Sequence, residues 1–198
     1  MTDIARFRNF VQHFTALIEE SVDDEELILK NGKTLLSGLI DNDDWLPDQF
    51  STPSPERYQQ YLLYCDPMER FSVVSFVWGP GQKTPVHDHT VWGMVGVMRG
   101  SEICEEFNFD PDSGNLLAAG SHQIPPGGID LVSPRIGDIH RVSNALTDKP
   151  SVSIHVYGAN IGAVSRHVYE LPSGISSTFI SGYSSSVVPN LWDRSVVV

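Results

Sequence analysis

The sequence predicts a mostly β protein, an antiparallel β-barrel or jelly roll carrying an N-terminal α-helical cap. Three observations predict it: apolar residues at helical spacing before residue 50, short β-branched and aromatic runs after residue 58, and turn signals between those runs.

The helical part comes first. Ile4, Phe7, Phe10, Val11, Phe14, Leu17 and Ile18 recur at spacings of three and four, which predicts one helix with a single buried stripe ending near Glu20. The acidic run Asp23-Asp24-Glu25-Glu26 suits a helix N-terminus, where unpaired N–H groups and the positive end of the dipole favour carboxylates. Leu27, Leu35, Leu36, Leu39 and Ile40 then predict a second helix or a helix pair, ending before Trp45-Leu46-Pro47.

From Tyr58 onward the chain reads as strands, among them 71–78, 92–98, 103–109 and 151–157. Gly79-Pro80-Gly81, Asp110-Pro111-Asp112-Ser113-Gly114 and Pro125-Pro126-Gly127-Gly128 separate them as turns. The stretch from Gly174 to Ser186 is polar and β-leaning, and reads as late strands plus a loop against the barrel. No repeat or linker interrupts the chain, so residues 1–198 read as one domain, with 1–50 helical and about 58–170 the β core.

A net charge of -12 and a pI near 4.8 argue against nucleic acid and anionic membrane as partners, because both would repel the surface. A small anionic substrate would need a local Arg or Lys. The N-terminus has no apolar run of signal-peptide length, and no run of about 18 apolar residues predicts a bilayer span. The two cysteines, Cys65 and Cys104, lie apart in apolar strand contexts and read as buried free thiols, which fits a cytoplasmic protein. Nothing in the sequence bears on oligomeric state.

His87 and His89 are separated by one residue, so a strand would point both imidazoles to one face as two neighbouring ligands for one metal. Taken alone, that pair is weak. Its frame is stronger: Gly81, five residues, His87, one residue, His89, ten residues, Gly100. This pattern resembles the first motif of the cupins. Gly128, five residues, Pro134, then Gly137, two residues, His140, three residues, Asn144 resembles their second motif, with one extra residue between Pro134 and Gly137. The resemblance implies a metal held by His87, His89 and His140. Where many cupins supply a glutamate ligand, this chain has Gly93, and three neutral imidazoles would leave open positions on a divalent metal. A cupin isomerase or hydrolase with zinc or manganese is the competing enzyme class, and the missing carboxylate counts against it.

In Ser151-Val-Ser153-Ile-His155-Val-Tyr157, alternation puts Ser153, His155 and Tyr157 on one face, either a functional row or a solvated outer face. A Ser–His hydrolase site is disfavoured, because alternate residues of a flat strand lack the sharp turn that exposes a nucleophile. The three histidines together with Ser153, His155 and Tyr157 resemble the thiol dioxygenase branch of the cupins, the cysteine dioxygenase family, over about residues 58 to 167. That resemblance implies iron(II) as cofactor, a small thiol carboxylate and dioxygen as substrates, a sulfinic acid as product, and a Ser153–His155–Tyr157 relay reaching the bound substrate. Mammalian-type members crosslink the relay tyrosine to a cysteine whose position here is Gly93, so Tyr157 is expected to be unmodified. Their substrate-binding arginine corresponds to Gln60. Glutamine there, Arg166 shortly after the relay and Trp92 before the glycine resemble the bacterial 3-mercaptopropionate dioxygenases, which implies 3-mercaptopropionate ahead of L-cysteine, with Arg166 and Gln60 holding the carboxylate. His13, His122 and His167 take no part in this reading; His122 is expected in a turn at the surface, the others in packing or capping.

Overall fold

The structure, a computed structural model, describes residues 4–192. The first three and last six residues of the 198-residue unit, including the start of the N-terminus read for a signal, lie outside the described residues.

Helix α1 spans Ile4–Glu20 and buries Phe7, Phe10, Val11, Phe14, Leu17 and Ile18, the stripe its spacing predicts. Helix α2 spans Glu25–Ile40 as one helix rather than a pair. Its N-terminus is capped by Asp24, whose side chain accepts from the Leu27 N–H at 3.0 Å, satisfying one of the first-turn donors. Leu27 itself is exposed, because the buried face runs instead through Ile28, Leu29, Leu36, Leu39 and Ile40.

Eleven strands follow: β1 Gln59–Cys65, β2 Ser72–Trp78, β3 Val86–His87, β4 Gly93–Arg99, β5 Glu102–Phe109, β6 Leu116–Ile124, β7 Ile129–Val132, β8 His140–Asn144, β9 Ser151–Tyr157, β10 Arg166–Tyr169 and β11 Ser176–Phe179. They form a five-stranded sheet in the order β1-β2-β9-β4-β7 and a six-stranded sheet in the order β11-β10-β3-β8-β5-β6, with all paired strands antiparallel. The architecture is therefore the two-sheet, jelly-roll form of the expectation, and no strand pairing among the described residues closes the sheets into one barrel.

The five-stranded sheet is sandwiched. Val152, Ile154 and Val156 of β9 face the helices, in one apolar cluster with Phe14, Leu36 and Leu39. Tyr157 faces the other way, in a cluster with Val74, Phe76, Trp78 and Val142 between the sheets. This is why all seven residues of β9 are buried, and why its polar row is not a solvated face. Each large apolar side chain so removed from water contributes about 1.5–3 kcal/mol. The helices approach closely: a Cβ at Gly96 of β4 would stand 2.9 Å from Ile40 Cδ1.

After β11 the chain folds back over the sheet edge. Ser184 N donates to the Gln60 carbonyl at 2.8 Å, Gly182 N to Gly162 O at 3.0 Å, and the Tyr183 hydroxyl to Asn160 Oδ1 at 2.6 Å. The late strand and loop expected of this segment thus form one wall of the functional cavity.

Candidate metal centre

The short strand β3 pairs with β8 so that His87 stands opposite His140, which brings together residues from two distant parts of the chain. His89 follows β3 and completes a triangle of imidazoles with ring centroids 4.9, 4.9 and 4.8 Å apart. The three rings are 8%, 0% and 5% exposed for His87, His89 and His140, and each offers one nitrogen to a common point, all within 4.8 Å of one another.

The far side of each ring has a partner. His87 Nδ1 meets the Pro85 carbonyl at 3.1 Å, His89 Nδ1 meets Asp138 Oδ1 at 2.9 Å, and His140 Nδ1 lies 3.5 Å from Cys104 Sγ. Partners of this kind select the tautomer that leaves Nε2 unprotonated for a metal. Asp138 also accepts the backbone N–H groups of His89 and Thr90, at 3.0 and 2.9 Å, and so fixes a turn in which Thr90 sits at φ 60°. Although burial raises Asp138, the hydrogen bonds from His89 and the two amides win and hold its carboxyl below the usual range.

Burial, followed by the neighbouring imidazole of His89, depresses His87 to about 3 and His140 well below its ordinary value, so both rings are neutral and ready to bind. The buried Nε2 of His89 has no hydrogen-bond partner. Neutral imidazoles converging beside an orphaned ring nitrogen fit a divalent first-row metal ion.

Beyond the triad, β9 presents its row. Ser153 Oγ and His155 Nε2 are 2.8 Å apart, and His155 Nδ1 and the Tyr157 hydroxyl 2.7 Å apart. The His155 ring stacks on Phe76 at 4.1 Å, and the Tyr157 ring stacks on His89 at 5.2 Å. Burial pushes the Tyr157 phenol up and His155 well down, so the row is a chain of neutral groups at neutral pH.

A cavity of about 330 Å³ opens onto this arrangement, lined by His87, His140, His155 and Tyr157 among others. Arg166 of β10 enters it from the side. It is 4% exposed, its guanidinium carbon lies 4.7 Å from the centre of the Phe179 ring, and its Nη2 donates to Ser181 Oγ at 2.6 Å. Its Nε is buried without a partner, and burial lowers its proton affinity. Gln60 lies in the same wall, its Nε2 donating to the Gly182 carbonyl at 2.7 Å.

The profile of the family described as cysteine dioxygenase type I matches residues 4–170. This chain belongs to that family. Its members are dioxygenases with a non-haem metal centre, which is the chemistry the histidine triad is built to hold. Among solved structures, it is similar to an uncharacterized conserved protein with a double-stranded beta-helix domain from Klebsiella pneumoniae, at 18% identity over 61% of this chain and 95% of that one, with a TM-score of 0.47. It is also similar to a cupin superfamily protein from Desulfitobacterium hafniense, at 11% identity over 60% and 94% with a TM-score of 0.43, and to an oxalate oxidase in complex with the substrate analogue glycolate, at 17% over 54% and 53% with a TM-score of 0.42.

For a cysteine dioxygenase family member the site holds several surprises relative to its sequence. Cys104 is the outer partner of His140 in the histidine triad, a contact that strand register creates and no local pattern announces. Cys65, expected to be buried, is only partly so. His122 is not in a turn: it lies in edge strand β6 and pairs with Asp130 at 2.6 Å. His167 ties down the loop that carries the triad, its Nδ1 meeting Oδ2 of Asp88, the residue between His87 and His89, at 2.8 Å. His13 is exposed on α1. Arg57, Tyr58 and Tyr183 also line the cavity; the aromatic pair and a cation near the start of β1 were the signals available.

Proposed function

We propose that the protein is a cytoplasmic thiol dioxygenase, its described residues one domain, that uses iron(II) held by His87, His89 and His140 to convert a small thiol carboxylate into a sulfinic acid, with 3-mercaptopropionate preferred over L-cysteine. One observation carries the reading: Arg166, a buried guanidinium with no carboxylate partner among the described residues, lines the same cavity as His87, His140 and Tyr157. A buried cation is costly unless an anion meets it, so the cavity is suited to a substrate carboxylate. Family membership supports the dioxygenase chemistry, and the two free cysteines support a reducing compartment.

Iron(II) bound by the three imidazoles would supply a redox-active centre open to both a thiolate and dioxygen. The overall change is R–SH + O2 → R–SO2H: the O–O and S–H bonds break, two S–O bonds form, the thiol proton ends on a sulfinate oxygen or in solvent, and sulfur gives up the four electrons that the two oxygen atoms gain. Arg166, backed by Phe179 and Ser181, would anchor the carboxylate as a charge-assisted pair and so fix the distance of sulfur from the histidines. Gln60 would add a neutral hydrogen bond from the same wall. Tyr157, oriented by His155 and through it by Ser153, would donate its O–H to the reacting ligands.

Among the described residues, no Asp or Glu lines the cavity. The ammonium group of L-cysteine would therefore be buried without a carboxylate, while 3-mercaptopropionate carries no such group. The test is to load the protein anaerobically with iron(II), add either thiol, and follow oxygen uptake together with sulfinate. One oxygen consumed per sulfinate, with a higher kcat/KM for 3-mercaptopropionate, is the expected result. Uptake no faster than with free iron would overturn the dioxygenase reading.

A further inference from the structure

Strand β5 begins with Glu102, a residue 0% exposed whose two carboxyl oxygens are both buried and without a hydrogen-bond partner. Acidic side chains are almost never buried unless paired, so an orphaned one asks for an explanation. The place of Glu102 gives one. Its carboxyl is directed toward Ser153 and Ser151 of β9 and Trp78 of β2, and the hydroxyl of Ser151 is likewise buried and unpartnered. Ser153 is the inner end of the row that runs through His155 to Tyr157. We propose that Glu102 is the fourth member of that row, a positioning residue whose proton sets the direction of every hydrogen bond between Ser153 and Tyr157.

A serine hydroxyl has one hydrogen to give and two lone pairs, and a neutral imidazole has one N–H and one acceptor. Trp78 Nε1 already donates to Ser153 Oγ at 3.3 Å. If Glu102 is protonated, a small side-chain adjustment lets its O–H donate to Ser153 as well, filling both lone pairs. Ser153 must then donate to His155 Nε2, the His155 proton lies on Nδ1 and points at the Tyr157 oxygen, and the Tyr157 O–H is free to donate into the cavity. If Glu102 is ionised, Ser153 donates to the carboxylate instead. His155 then donates from Nε2 to Ser153, and Tyr157 gives its proton to Nδ1. The same heavy atoms are satisfied in both cases, and only the first leaves Tyr157 a donor toward substrate.

Burial pushes the Glu102 carboxyl up to about 8, against the opposing pull of the nearby donors of Ser153, Ser151 and Trp78, and the charge of Asp130 on β7 acts in the same direction as burial. The other titratable group coupled to it is Tyr157 of β9, which an ionised Glu102 would push further up. The neighbouring strands β6 and β8 set Ile124 and Asn144 beside it in register, and neither carries charge. Glu102 is therefore protonated at neutral pH, with the row in the donating direction.

This inference rests on the reading of Tyr157 as the donor, and its test separates the two. In the iron-loaded protein with glutamate labelled with carbon-13, infrared spectra should show a carboxylic-acid C=O band at pH 6.5 that disappears with a midpoint near pH 8 and is missing from Glu102→Gln. The amide of Glu102→Gln cannot ionise and keeps an N–H donor available to Ser153 at every pH, so the productive direction no longer depends on pH. The wild-type kcat/KM should fall about tenfold by one pH unit above that midpoint, while Glu102→Gln stays level over the same range. A carboxylate band at pH 6.5, or the same alkaline fall in both proteins, would overturn the proposal. Should Glu102→Gln not fold, the wild type alone decides, since unequal midpoints for the band and for activity refute the coupling and equal ones support it. A protein that oxidises neither thiol but shows a titrating acid band would remove the dioxygenase reading and, with it, the role of Tyr157 as the end of the row.

Discussion

Gly93 lies directly across from Tyr157 in the β4–β9 pair, so close that a Cβ built on it would stand 2.7 Å from Tyr157 Cδ1 and 2.9 Å from Cε1. The glycine is thus what allows the phenol to stack on His89. Gly93→Ala is expected to push the ring off that stack at an overpacking cost of about 1–3 kcal/mol. Thermal unfolding should drop by a few degrees, and kcat/KM should fall more than the metal affinity does. An alanine variant with unchanged turnover would show that the position of the ring is not critical.

Arg166→Gln tests the anchor. Loss of the charge-assisted pair should raise KM for a thiol carboxylate by about 10- to 100-fold, equivalent to about 1.4–2.8 kcal/mol, with a smaller change in kcat. Cysteamine, a thiol without a carboxylate, serves as the control and should be indifferent to the substitution. If cysteamine loses as much, Arg166 supports the fold of the cavity rather than the substrate.

Asp138 holds His89 through its ring and backbone and Thr90 through its amide. Asp138→Asn should weaken binding of iron(II), or of cobalt(II) as its spectroscopic stand-in, by about 10- to 100-fold, because the carboxylate both orients the ring and strengthens it as a donor. Calorimetric titration of the apo-protein reads this directly. Equal affinities would mean that the loop alone sets the ligand geometry.

Glu102 also predicts a pH dependence of stability. Its carboxyl is raised to about 8 in the folded chain from an ordinary value of 4.5, so between those values the folded protein holds a proton that the unfolded chain has released. The contribution is fully present below about pH 4.5 and is lost as pH rises through about 8. Glu102→Gln, which cannot ionise, should therefore gain on the wild type in thermal midpoint between pH 5 and 8 and hold a constant lead beyond. A difference in midpoint that does not change with pH would contradict the burial of an ionisable group there.

Much of this was legible along the chain. The stripe of α1, the acidic start of α2, the boundaries of β9 and the turn between β5 and β6 all follow from patterns within a few residues. The His-x-His pair and its glycine frame singled out His87 and His89, and the second motif singled out His140, the three imidazoles that the fold brings together. Strand β6 was not legible, because only Leu116 and Ile124 of its nine residues are buried and an exposed edge strand carries no alternation. The burial of Cys104 was legible, but its contact with His140 was not, and neither was the burial of Glu102: in Gly-Ser-Glu-Ile-Cys-Glu-Glu, nothing local marks an acidic side chain as interior.

The division has a physical cause. Helix stripes, caps, turns and the shared face of Ser153, His155 and Tyr157 are consequences of backbone geometry over one or two turns or pleats, so residue order suffices to determine them. Which groups meet across the two sheets depends on long-range register. The pairing of β3 with β8 places His140 opposite His87, the antiparallel β10–β11 edge brings Arg166 to the cavity, and the closing of the two sheets on each other buries Glu102 within reach of Ser153. Those pairings are selected by burial of the whole apolar surface at once, and only the folded chain reveals them.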